Sequence, residues 1–464
     1  MEPSATTSVP RWRAWLRRPA AVFWVFLAAY LFTWGGHYTT GDGAIKVAWA
    51  RALWLRQSHD LDEGPGVKRS RFGIGHSLIS LPAVAAADVV RRATGFPCAA
   101  PLYTLLLLVN RALFVYLVAR YLWPHYPPRQ AWGTVALLGF GSIWWPYTRL
   151  DFSEPFITTL LFGGFLLMRA GRPAAGMLVA SFTITIRPDS LLWCALLGGW
   201  HLAAARDRRA AVRMAAAALP ALGLHFWSVW VRYGSFPAHG YGETVSLPHP
   251  WTAGLFGQLL SPGKSVFLYS PVLLLGLAAW PAFRRRVEFR RDAWFFLGLF
   301  VAQVVFYAGF WFWSGDDAWG PRYILPATVL LVIPAVEWLS RRRVLPLALV
   351  AGIVAQLPAV IVGGLDYELM VRLENLQRPA GYNFSGTKRL DFDDVWYHPR
   401  YSQWVGNALL ARHAVGWRLP HPRPLADAQP GAALTDIVPA EVWDRYARVD
   451  WLWLQVLRTA WRRG

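Results

Sequence analysis

The carboxylate best placed for chemistry is Asp42, in Thr39-Thr40-Gly41-Asp42-Gly43-Ala44-Ile45-Lys46, directly after the first long apolar run. Glycines on both sides let the backbone turn and approach a ligand closely. A helix-compatible stretch, Ala44 to Leu55, follows. Asp42 therefore falls just before a helix N-terminus, where negative charge is favoured. Two readings stand side by side: a cap at a loop, or a general base facing a membrane-embedded substrate.

Other candidates lie far away in sequence. Lys46 follows one helical turn later. Arg149, Asp151 and Glu154 share the short stretch Thr148 to Pro155, and Lys264 follows Ser261-Pro262-Gly263. Asp316, Asp317, Arg322 and Tyr323 lie in Ser314-Gly315-Asp316-Asp317-Ala318-Trp319-Gly320-Pro321-Arg322-Tyr323. Each has an ordinary alternative. Arg149 and Glu154 form a loop salt bridge, Arg322 and Lys264 anchor lipid phosphates nonspecifically, Asp316 caps a helix, and Lys46 snorkels. The argument for a site is that all of them fall on one side of the expected topology. Carboxylates and cations converging on one face suit an anionic, partly lipid-soluble substrate.

The elements that position them are membrane helices. The chain has 464 residues, 55% hydrophobic and 16% charged, against about 25% charged in soluble domains. Apolar runs of about 18 residues or more recur, as in a polytopic membrane protein. Many of the 28 Trp lie near the ends of these runs, at headgroup level. The net charge of +20 comes from Arg clusters between runs, which fits the positive-inside rule and gives no nucleic-acid surface. Cys98 and Cys194 have no metal or disulfide spacing.

In chain order, residues 1–18 form a basic cytoplasmic N-terminus. A retained signal-anchor span covers Pro19 to Gly36. The first outer loop, 37–100, holds an interfacial helix, Ala44 to Leu55. It also holds an apolar but broken segment, Phe72 to Val90, expected to lie in or dip into the membrane. Spans follow at Leu102 to Leu122, Ala131 to Tyr147 and Phe156 to Met168. A helical hairpin follows, Ala174 to Ile186 and Ser190 to His201, with Arg187-Pro188-Asp189 at its tip. Later spans are Met214 to Val231, Ser265 to Ala282, Trp294 to Phe312, Tyr323 to Leu339 and Leu345 to Gly363. The fold class is all-α and polytopic, with about eleven passes. The expected transmembrane domain is 19–364, followed by a small extracytoplasmic domain at 365–464. Ala440 to Arg463 in that domain reads as one amphipathic helix.

The Gly41-Asp42-Gly43 loop resembles the first outer loop of GT-C class integral-membrane glycosyltransferases, among them protein O-mannosyltransferases and bacterial aminoarabinose and arabinofuranosyl transferases. Arg149-Leu150-Asp151-Phe152-Ser153-Glu154-Pro155 is similar to the second outer loop of bacterial members. Ser261-Pro262-Gly263-Lys264 through Tyr269-Ser270-Pro271, and Trp319-Gly320-Pro321-Arg322-Tyr323 with Pro326, resemble later segments. Ser70 to Pro82 looks like the family's re-entrant or surface helix. The resemblance covers about residues 20–365.

That resemblance implies a polyprenyl-phosphate sugar donor, an inverting transfer, and Asp42 as general base. It implies Glu154 at a second acidic position that orients the acceptor or helps hold a divalent cation. Arg322 and Lys264 become phosphate-side cations, and Lys46, Arg149, Asp151, Asp316, Asp317 and Tyr323 complete the substrate-binding set. The partners implied are the lipid-linked donor, a glycan, lipid or protein acceptor, and membrane lipids. The location implied is a bacterial inner membrane, with the N-terminus cytoplasmic and the C-terminus outside. Where many mannosyltransferases carry a second acid after the first-loop Asp, this chain has Gly43, which counts against protein mannosylation. The rival reading is a flippase of lipid-linked precursors, with Arg187 and Asp189 along the path, or an accessory protein that binds such lipids.

Overall fold

The computed structural model describes residues 18–61, 68–205, 207–236, 250–310, 312–315, 318–376, 392–417, 434–438 and 440–463. Among them the chain is helical and forms no strand beyond an isolated Asp60–Arg69 bridge. The principal helices are α1 (Pro19–Phe32), α2 (Gly41–Arg56), α3 (Ile74–Thr94), α4 (Ala99–Leu122), α5 (Pro128–Gly141) and α6 (Glu154–Arg169). They continue as α7 (Pro173–Ile186), α8 (Ser190–Ala205), α9 (Arg208–Tyr233), α10 (Trp251–Leu259), α11 (Val272–Arg285) and α12 (Arg290–Ala308). The chain closes with α13 (Leu325–Val332), α14 (Val344–Ile361), α15 (Gln403–Ala414) and α16 (Leu452–Arg463).

Five of the described helices, α3, α4, α9, α12 and α14, are long and apolar enough to cross a membrane, and α1, α7 and α8 are shorter apolar helices. With no hydrophobic drive between helices in lipid, close packing needs small residues at crossings. α6 and α7 meet at Gly164 and Gly176, where a Cβ on Gly164 would lie 2.6 Å from the Gly176 carbonyl. The main core runs from α1 through α14. A smaller core (Val47, Ala50, Val84, Tyr103, Phe156) seats α2 and α3 on α4 and α6. It fixes the helix that carries Asp42. A third core, with Tyr367, Tyr401, Leu410 and Trp443, lies in the tail.

Several expected boundaries change. α3 is one continuous 21-residue helix through Pro82 rather than a broken segment. Its polar groups are answered inside the protein: Ser77 donates to the Lys46 carbonyl at 2.9 Å and Ser80 to the His76 carbonyl at 2.8 Å. The run Ser265 to Ala282 is interrupted at Ser270-Pro271, giving a short helix Val266–Tyr269 before α11. Tyr323 to Leu339 begins as a 3-10 turn, continues as α13 and ends in 3-10 helix Ile333–Trp338. Ala131 to Tyr147 leaves the α-helix at Gly141. The amphipathic tail segment is two helices, Ala440–Tyr446 and α16, broken around Asp450, which reaches back to His37 and Arg149. The expected hairpin does form, with Arg187-Pro188-Asp189 between α7 and α8.

Candidate active site

α2 starts earlier than its sequence pattern predicts, because Thr40 caps it. The Thr40 hydroxyl accepts from Gly43 N at 2.8 Å, which satisfies one of the free N-terminal donors. Asp42 is thereby released from capping and sits in the first turn. The cap is itself held by Asp151. Thr40 donates to the Asp151 carboxylate, as do the Thr39 hydroxyl at 2.9 Å and the Thr39 amide at 3.3 Å. Asp151 N donates to the Thr39 hydroxyl at 3.2 Å. The Asp151 carboxylate is so close that a Cβ at residue 43 would lie 1.9 Å from it. Gly43 is therefore required by space, and the carboxylate beside it comes from the second loop.

Around Asp42 the chain assembles a mixed charge cluster. Arg71 Nη2 lies 3.4 Å from Asp42 Oδ1, and Arg322 Nη1 lies 3.7 Å from Oδ2. Arg322 Nε lies 3.9 Å from Glu154 Oε1, so Arg322 stands between the two acids. Glu154, in the first turn of α6, is also paired with Arg187 Nη1 at 2.8 Å. Arg187 Nε reaches Asp189 at 3.2 Å, and the Tyr307 hydroxyl donates to Asp189. Arg322 Nη2 donates to the Tyr323 hydroxyl at 3.2 Å and its guanidinium lies over Phe152. Among the described residues, Glu154 Oε2 and Arg322 Nε are buried without a hydrogen-bond partner. Leaving such groups unpaired costs about 1–3 kcal/mol each, and a ligand hydroxyl and a ligand oxygen would satisfy them.

The electrostatics follow the geometry. Burial pushes the Asp42 carboxyl up, but Lys46, then Arg322 and Arg71, pull it down further, so it lies below its usual range. Burial lowers the Lys46 ammonium, partly offset by Asp42, Glu154 and Asp151. Lys46 is buried against the Phe72 ring, 4.8 Å from its centroid, so it does not snorkel. Burial raises Asp151, against the hydrogen bonds from Thr40 and Thr39 and the charge of Lys46.

Of the sequence-predicted set, Asp42, Lys46, Asp151, Glu154, Arg322 and Tyr323 come together. Two others do not join them. Arg149 pairs with Asp450 and donates to the Val360 and Val362 carbonyls, the latter at 3.0 Å, rather than pairing with Glu154. Lys264 forms a fully buried ion pair with Glu368 at 3.0 Å and donates to the Ala318 carbonyl at 2.6 Å. Asp316 and Asp317 lie outside the described residues. Among the described residues no three His, Cys, Asp or Glu side chains group as a metal site. Each acid of the cluster is faced by Arg or Lys, so this donor set fits anions and hydroxyls better than a divalent cation. In the sequence Arg187 points only to the rival flippase path and Arg71 is not singled out, yet both stand in this cluster. The Arg187-Pro188-Asp189 break between apolar runs was a usable signal; Arg71, in a polar stretch, gave none.

This architecture is similar to that of ArnT from Cupriavidus metallidurans in the apo state, with a TM-score of 0.50, 16% identity, and coverage of 77% of this chain and 69% of that one. The chain has the GT-C fold. ArnT from the same organism bound to undecaprenyl phosphate aligns with a TM-score of 0.48 and 16% identity, covering 79% of this chain and 66% of that one. No protein-family model and no curated protein sequence matches the chain. The GT-C fold and the apolar helices make this a membrane protein.

Proposed function

We propose that the protein is a membrane glycosyltransferase that moves a sugar from a polyprenyl-phosphate donor to an acceptor hydroxyl on the extracytoplasmic face, with inversion. The observation that carries this reading is the cluster of Asp42, Arg322 and Glu154, with unpaired buried polar atoms, inside a GT-C fold. Asp42 takes the acceptor's proton as the hydroxyl oxygen attacks the anomeric carbon. The bond from that carbon to the phosphate oxygen breaks on the opposite face, and its electron pair leaves with the polyprenyl phosphate. Arg322 and Arg187 stabilise the charge on the departing phosphate. Glu154 Oε2 accepts a hydrogen bond from a substrate hydroxyl and orients it. Arg187 and Asp189, the groups a flippase would place along a path, belong to the Glu154 side of this same cluster.

In this reading the chain makes about eleven passes through a bacterial inner membrane, with the N-terminus cytoplasmic and the C-terminus outside. Residues 19–364 carry the reaction and 365–464 form the outer domain. The test is consumption of polyprenyl-phosphate sugars by purified protein in lipid nanodiscs, for wild type and Asp42→Asn. Wild type should consume one donor class, and Asp42→Asn should lose about 10²–10⁴-fold in rate, the usual worth of a positioned acid–base group. An unchanged rate in Asp42→Asn contradicts the base assignment. In sealed proteoliposomes, donor that crosses the bilayer intact supports the flippase.

A further inference from the structure

Asp450 lies some 400 residues beyond Asp42 in sequence and yet holds both loops that build the site. Its carboxylate accepts from His37 Nε2 at 2.7 Å, from Gln455 Nε2 at 2.8 Å and from Arg149 Nη2. Its backbone amide donates to the Ile361 carbonyl at 3.0 Å. The residues that follow are strapped across the ends of α1 and α14. Leu452 N donates to the Trp34 carbonyl at 2.7 Å, Trp453 Nε1 to the Phe32 carbonyl at 2.8 Å, and Trp451 Nε1 to the Val360 carbonyl at 2.9 Å. His37 is five residues before Asp42. Arg149 is two before Asp151 and five before Glu154.

From this latch a continuous set of contacts runs to the base. The Thr39 hydroxyl donates to the Arg149 carbonyl at 3.4 Å and to Asp151 at 2.9 Å. Asp151 holds Thr40, and Thr40 caps the turn that bears Asp42. We propose that Asp450 is a remote positioning residue: by drawing His37 and Arg149 to one carboxylate, the C-terminal segment sets the first loop against the second and fixes Asp42 opposite Glu154. Its catalytic consequence rests on the function proposed above; its effect on the two loops does not.

The latch also has a pH signature. The hydrogen bond and charge of Asp450 and the Tyr38 carbonyl raise His37, while burial and Arg149 lower it; the balance is a rise to about 9. Asp366 faces the same cluster, its carboxyl pushed up to about 6 by burial and then by Asp450. Asp444, Arg445, Arg448 and Arg458 line the adjoining cavity of about 730 Å³, which Asp42 does not reach. Because His37 is raised above its ordinary 6.5, its contribution is complete below that value and is lost as pH rises through about 9.

The test is hydrogen exchange of the full-length protein in nanodiscs, read as protection factors over residues 39–47, with millisecond labelling at neutral pH and at about pH 9.5 to 10. Asp450→Asn and His37→Gln should lose roughly ten- to hundredfold protection at neutral pH, the worth of a hydrogen bond between charged groups. Wild type should lose it only at the higher pH, and His37→Arg, permanently charged, should keep it there. Wild-type protection in both Asp450→Asn and His37→Gln overturns the proposal, as does the same alkaline loss in His37→Arg. Donor consumption in the same samples separates the two claims. Loosened loops with an unchanged turnover number contradict the positioning role, whereas a wild type inert toward every donor contradicts the proposed function and leaves the exchange result to decide the latch.

Discussion

Lys264 with Glu368 and Arg322 with Asp42 and Glu154 both join carboxylates to cations from distant segments, but the two clusters are built differently. Lys264 and Glu368 meet at 3.0 Å with neither side chain exposed, and a backbone carbonyl shares the ammonium. Arg322 stands 3.7 Å from Asp42 and 3.9 Å from Glu154, with Asp42 still 23% exposed and a Glu154 oxygen unpaired. Charges that hold the fold are close and dry. Charges placed to meet a ligand, in the function proposed above, are looser and at Asp42 partly open to solvent. Both kinds of residue read alike in sequence.

Breaking the dry pair should have the largest effect on stability. Lys264→Met takes the ammonium away from the buried Glu368 carboxylate, and unfolding in detergent should show a loss of about 3–5 kcal/mol. The double variant Lys264→Met with Glu368→Leu should regain most of it. Asp42→Asn and Glu154→Gln, in contrast, should cost less stability than Lys264→Met, because each leaves its cations in looser or partly solvated contacts, while activity falls.

Gly43→Ala comes next. The added Cβ meets the Asp151 carboxylate, so Asp151 must swing away from Thr39 and Thr40. Stability should fall by about 1–3 kcal/mol, as for overpacking elsewhere, with a larger relative loss of turnover than of substrate affinity.

Removing Lys46 sharpens the electrostatic half of the comparison. Asp42 is pushed up by burial but held below its usual 3.8 by Lys46, Arg322 and Arg71. Its ionised form therefore adds stability above that value and loses it as pH falls through the lower folded value. In Lys46→Met the acid limb of the pH–rate profile should move to higher pH; an unmoved limb would mean that Asp42 is not the titrating group. The smallest effect belongs to Arg71→Gln. Its 3.4 Å contact with Asp42 is half exposed, so the loss should stay within about 1 kcal/mol, read as a modest rise in KM.

Much of this was legible in the sequence. Hydropathy placed most helices, and the Gly41-Asp42-Gly43 loop and the Arg149 to Pro155 stretch pointed to the end of the bundle where the Asp42 cluster forms. What stayed hidden was partner choice. Arg149 and Lys264 carry the same charge as Arg322, and only the packed chain decides that one meets Asp450, one Glu368 and one Asp42. Gly43 looked like a missing acid, but it is a space filled by Asp151. The continuity of α3 was obscured by Pro82, which neighbouring helices and side-chain hydroxyls tolerate in an apolar setting. The break at Asp450 interrupts a helical pattern for a contact with His37, 413 residues away.

The central claim is that the Asp42 cluster holds a lipid phosphate beside a catalytic base. The most direct measurement is a structure of the protein in lipid nanodiscs with a polyprenyl phosphate bound. The account predicts the phosphate within hydrogen-bonding distance of Arg322 Nε and Arg187, with Asp42 on the opposite side of the sugar, where the acceptor hydroxyl would approach. A phosphate seated elsewhere, with Arg322 still bridging Asp42 and Glu154 as it does here, would contradict it and leave the cluster as a structural joint.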